Sequence, residues 1–60
     1  MKVRDVIKEI ENDGWVFVRQ WGSHRHFQHA VKSGTVTIPG HPSDEMAPKA
    51  LNSIWRQAQL

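Results

Sequence analysis

Apolar residues at Val3, Val6, Ile7 and Ile10 recur at the i, i+3, i+4, i+7 spacing of one helix face, with Lys2, Arg4, Lys8, Glu9 and Glu11 on the other side. Gly14 follows the last of them, where a helix C-cap belongs, so the spacing predicts a helix over roughly residues 2–13. From Trp15 the texture changes to the β-formers Trp15-Val16-Phe17-Val18. Both parities are apolar there, which predicts a strand covered on one face and partly on the other. Gly22-Ser23 reads as a turn. A second strand is expected from about His24 to Val31, with Arg25, Phe27, His29 and Val31 on one side and His24, His26, Gln28 and Ala30 on the other. Lys32-Ser33-Gly34 makes a hairpin loop. Thr35 to Ile38 forms a third strand with Val36 and Ile38 on one face, and Pro39 ends it. Residues 39–47 read as a loop. Pro48 then suits the first turn of a second helix, in which Leu51, Ile54, Trp55 and Ala58 repeat the apolar spacing of the first.

The order α-β-β-β-α places the chain in the α+β class, as one domain over residues 1–60. The expected architecture is a three-stranded antiparallel sheet with two helices on one face. With Phe27 turned toward the helices, His24, His26 and Gln28 fall on the open face, where a sheet of this kind meets water or a ligand.

Composition narrows the picture. A chain of 60 residues buries only about 60% of the surface its unfolded form exposes, so its stability is marginal. It contains no cysteine, which removes disulfides and thiolate zinc sites and fits a reducing compartment. The N-terminal segment is charged at regular intervals, unlike a signal peptide, and no apolar run is long enough to span a membrane. Eight Lys and Arg against six Asp and Glu leave a formal charge of +2, which favours a polyanionic partner. The middle of the chain, with Arg19, Arg25 and Lys32, is its basic part.

Four histidines are present, and three fall between His24 and His29. His24, His26 and His41 could offer three nitrogens to zinc. No carboxylate stands beside the pair, however, and His-x-His is common on exposed strands, so no metal or other cofactor is expected. His26 and His29 read as half-exposed strand residues. His24 differs because it follows the Gly22-Ser23 turn, where an imidazole is presented rather than packed. An imidazole, with an intrinsic pKa of about 6.5, exchanges protons near neutrality. RNA carries its own nucleophile, the 2′-hydroxyl, so one such base with nearby cations is enough to cleave it. Ser23, Arg25, Arg19 and Lys32 are the candidate RNA contacts, with the cations stabilising charge on the phosphorane. Of the three tryptophans, Trp15 and Trp55 read as core residues. Trp21, before the turn, reads as an exposed partner contact or base-stacking surface.

Asp13-Gly14-Trp15, Val18-Arg19, Gly22-Ser23-His24, Phe27, His29, Gly34-Thr35-Val36-Thr37-Ile38-Pro39, and Ile54 with Gln57-Ala58 and Leu60 run nearly the whole chain in one order. In this the sequence resembles the HicA toxins of bacterial and archaeal toxin–antitoxin systems. The resemblance implies a fold like that of double-stranded-RNA-binding domains. It also implies mRNA cleavage in which the histidine of Gly-Ser-His, here His24, is essential, and a HicB-type antitoxin that covers the active face. It implies action in the cytoplasm, by a toxin that is monomeric alone and part of a larger complex with its antitoxin. Four departures stand out: Gly40 between Pro39 and His41, Ser43-Asp44-Glu45 where basic residues are usual, Lys49-Ala50 where Gly-Thr often opens the last helix, and Gln59 in place of a glycine. The alternative to a nuclease is a non-catalytic RNA-binding or partner-stabilised interaction module.

Overall fold

The computed structural model describes all of residues 1–60, in the order α1 (Val3–Asn12), β1 (Trp15–Trp21), β2 (His24–His29), β3 (Val36–Ile38) and α2 (Pro48–Gln57). The strands form one antiparallel sheet in the order β1-β2-β3, and α1 lies against β1 while α2 lies against β3. The apolar stripe read from the spacing is the buried one: Val3, Val6 and Ile10 of α1 meet Trp15, Phe27, Val36 and Ile38 of the sheet, Ile54 of α2 and Ala58 at its C-terminal cap. Trp55 and Leu51 pack against this core half-buried. Burying a large aliphatic or aromatic side chain contributes roughly 1.5–3 kcal/mol, so these few residues supply most of the cohesion in so small a chain.

α1 begins without a side-chain cap at Lys2, and the loop before α2 supplies one instead. The N–H groups of Val3 and Arg4 donate to the carbonyls of Asp44 and Pro42, and Met46 N–H donates to the Met1 carbonyl. The helix's orphan donors are thereby satisfied by backbone oxygens. This stitching draws Met46 into the core, a residue that carries no periodic signal. It also explains the acidic departure in this loop. Asp44 Oδ2 accepts from His41 N–H at 2.9 Å, and Glu45 pairs with the N-terminal ammonium at 2.7 Å, which holds its carboxyl below the usual carboxylate range.

The link from α1 to β1 is built around His29. Its Nδ1 accepts the N–H groups of Val31 and Lys32, both at 3.0 Å, so Nε2 carries the ring proton and donates to the Asp13 carbonyl at 2.6 Å. Gly14, at φ 107, passes directly over this ring, and a Cβ there would lie 2.7 Å from Nε2. Only glycine serves at that position. His29, expected as a half-exposed strand residue, is thus a structural one. Because its ring captures the N–H groups of Val31 and Lys32, β2 ends at His29 instead of continuing to Val31, and Val31 is exposed.

β1 departs most from expectation. Only Trp15 is buried, whereas Val16, Phe17, Val18 and Trp21 are exposed. β1 is an edge strand with a register shift between Phe17 and Arg19, and the helices cover only its beginning.

The second helix ends with Leu60 N–H donating to the Trp55 carbonyl and Gln59 N–H to that of Arg56, a Schellman closure. Gln59 occupies its left-handed position at φ 58, where a side chain is disfavoured. Gln59→Gly is therefore expected to stabilise the fold by about 0.5–1 kcal/mol, after allowing for the lost contact of Gln59 Nε2 with the Ser33 carbonyl. A urea melt checks this, and an unchanged or lowered midpoint contradicts it.

Candidate functional site

Gly22-Ser23 joins β1 and β2 as a two-residue loop, with Gly22 at φ 54 in the first position, where a tight hairpin of the II′ kind needs positive φ. The pair that closes the hairpin is Trp21 with His24. Directly opposed residues share a face of the sheet, so the exposed indole stands beside the exposed imidazole. The next rung on this face is Arg19, His26 and Thr37, one from each strand, tied by His26 Nδ1 and Thr37 Oγ1 at 3.1 Å.

His24 lies at the mouth of a groove. With Thr37 and Pro39 on its own side and Ala50, Ser53, Ile54 and Gln57 of α2 on the other, it encloses a cavity of about 250 Å³. The open face of the sheet is therefore not the bare plane that strand alternation alone describes. At its β3 edge it is walled by α2, and His24 stands where the two meet. The sequence reading did not single out Thr37 or the α2 residues Ser53 and Gln57. A signal existed, since Ala50, Ser53 and Gln57 sit at i, i+3, i+7 and form a second stripe beside the apolar one.

The other candidate residues are distributed unevenly. Ser23 is half-buried in the turn preceding His24. Arg19 is exposed and enters no ion pair. Arg25 is half-buried and donates through Nη1 to the Gly40 carbonyl at 3.1 Å, tying β2 to the loop after β3. Lys32 is not brought to the groove at all. It follows the opposite end of β2, and the strand's two ends are roughly 16 Å apart at about 3.3 Å per residue. Its ammonium contacts Asp13 Oδ2 at 2.6 Å and donates to the carbonyls of Ala58 and Gln59, both at 3.2 Å. That ammonium, with His29 adding to it, holds the Asp13 carboxyl below the usual carboxylate range. Lys32 is thus a clasp between α1, the β2 exit and the end of α2. His24, His26 and His41 are not gathered into a group that could hold a metal ion. No helix is long and apolar enough to cross a membrane.

Among curated proteins, no sequence matches the chain. A family model does. Residues 3–60 match the one described as HicA toxin of bacterial toxin-antitoxin.

Proposed function

Since the chain belongs to the HicA toxin family of toxin–antitoxin systems, we propose that it is a metal-independent endoribonuclease that cleaves mRNA through proton transfer by His24. What supports this reading is the position of that imidazole. It is exposed, set at the tip of a hairpin, and stands between an indole and a groove with room for one phosphodiester.

His24 takes the proton of a 2′-hydroxyl, whose oxygen attacks the adjacent phosphorus. The bond to the 5′-oxygen breaks, and that oxygen leaves with a proton from His24 or water. The products are a 2′,3′-cyclic phosphate and a 5′-hydroxyl. The alternative assignment, His24 as acid toward the leaving oxygen, uses the same ring in the same place. Trp21 offers its face to a neighbouring base, and Arg19 and Ser23 add contacts to the backbone. Arg25, on the face of β2 opposite His24, is engaged with the Gly40 carbonyl, and the charge of Lys32 is already matched by Asp13.

Membership of the family implies a HicB-type antitoxin as partner. The exposed apolar residues of β1, Val16, Phe17, Val18 and Trp21, with Trp21 directly opposite His24, are the kind of surface a partner covers. The proposed setting is the cytoplasm, where mRNA and the antitoxin are both made.

Purified protein incubated with RNA is expected to degrade it equally with and without EDTA. RNA that is bound with steep salt dependence but left intact would instead identify a binding module. Loss of cleavage on adding EDTA would contradict the metal-independent mechanism.

A further inference from the structure

The α2 wall of the groove is a hydrogen-bonded unit whose directions are set by one backbone group. Thr37 N–H can only donate, and it donates to Gln57 Oε1 at 2.9 Å. The carboxamide is thereby held with its NH2 turned away from β3, and this NH2 donates to Ser53 Oγ at 3.2 Å. Ser53 is an acceptor in that contact, so its own hydrogen is left to donate elsewhere. In many helices such a hydrogen turns back to a carbonyl of the preceding turn. Ser53 makes no such bond; its one hydrogen bond is the one it accepts from Gln57. Ser53 and Gln57 are half-buried and line the same groove as His24, and no carboxylate lines it.

The groove thus presents an O–H and a spare amide N–H, both neutral, beside the imidazole. Its volume, about 250 Å³, lies below the roughly 300–1,000 Å³ of sites for drug-sized ligands. None of the cations suggested by the sequence lines this groove, and Arg19 stands on β1, across the sheet from it. Lys32 is at the far end of β2, and the Arg25 guanidinium is engaged with the Gly40 carbonyl. Fixed neutral donors aimed at developing charge are an effective substitute, because they need no reorganisation as the charge forms.

We propose that Ser53 Oγ–H binds a non-bridging oxygen of the RNA phosphodiester attacked beside His24, with Gln57 as the positioning residue that leaves that hydrogen free. This rests on the nuclease reading above. It makes two α2 residues part of substrate recognition.

Three variants and a titration test it. Ser53→Ala removes the donor and Ser53→Thr keeps it. Gln57→Glu keeps an oxygen for Thr37 N–H but offers a second oxygen to Ser53, drawing the hydroxyl hydrogen out of the groove. Single-turnover cleavage of an RNA oligonucleotide is expected to fall about 10- to 100-fold for S53A and Q57E, while S53T stays within about threefold of wild type. In the titration, an uncleavable 2′-O-methyl RNA added to the wild-type protein is expected to shift the Gln57 side-chain NH2 and Ser53 amide resonances. S53A cleaving at the wild-type rate would overturn the proposal, as would Gln57 and Ser53 resonances that stay still while others move. A wild-type protein that shifts these resonances but does not cut RNA would sink the nuclease reading and leave the phosphate site standing.

Discussion

His24→Ala is expected to abolish growth arrest in cells and to lower RNA cleavage in vitro by at least about 100-fold, with no change in the circular dichroism spectrum. A positioned general base or acid is worth about 10²–10⁴ in rate, and the groove residues cannot replace it because none of them titrates near neutrality. The fold will not register the loss. His24 is exposed, makes no side-chain hydrogen bond within the protein, and lies outside the buried cluster. The comparison with His29→Ala separates chemistry from structure. That ring holds two N–H groups and the Asp13 carbonyl, so its removal should reduce stability and activity together. An H24A protein that still degrades RNA would move the chemistry to another residue.

The second large effect is on stability. Phe27 is 1% exposed, sits at the centre of the middle strand, and stands edge-on to Phe17 with ring centroids 6.0 Å apart. Replacing a buried phenylalanine with alanine costs roughly 3–5 kcal/mol, through lost transfer free energy and the cavity left behind. At about 0.05–0.15 kcal/mol per residue, a chain of 60 residues has only roughly 3–9 kcal/mol of total stability. Phe27→Ala is therefore expected to be largely unfolded at 37 °C on its own, as read by thermal melting. Recovery of its folded signal on adding a HicB-type antitoxin would follow from mass action, since a partner that binds only the folded form stabilises it. A variant melting within a few degrees of wild type would show that the core is less dependent on this ring than its burial indicates.

How much of this was readable beforehand divides along physical lines. Both helices were legible because their apolar residues keep a 3.6-residue period that belongs to the segment itself. Pro48 and the Gly22-Ser23 turn were legible for a similar reason, since the residue types carry their own backbone constraints. β1 misled because an apolar strand looks the same whether it is covered by a helix or left exposed for a partner. Met46 was missed because its burial follows from a loop tying down the start of α1, a long-range event without periodicity. At the site, parity placed His24 on the face opposite Phe27, and the turn before it explained its exposure. The pairing of Lys32 was not legible, because its partner Asp13 lies 19 residues earlier and meets it only through the fold. Ser53 and Gln57 were overlooked because an uncharged pair on a helix gives no signal until β3 is seen to lie against it.

The account turns on an imidazole acting on the RNA's own 2′-hydroxyl, and a single experiment addresses that directly. One RNA oligonucleotide and its fully 2′-O-methylated counterpart are incubated with wild-type protein and with H24A, in EDTA, and the cleaved 3′ ends are identified by mass spectrometry. Wild type should cut only the unmodified RNA and leave a 2′,3′-cyclic phosphate, and H24A should cut neither. Cleavage of the methylated strand, or unimpaired cleavage by H24A, would contradict it.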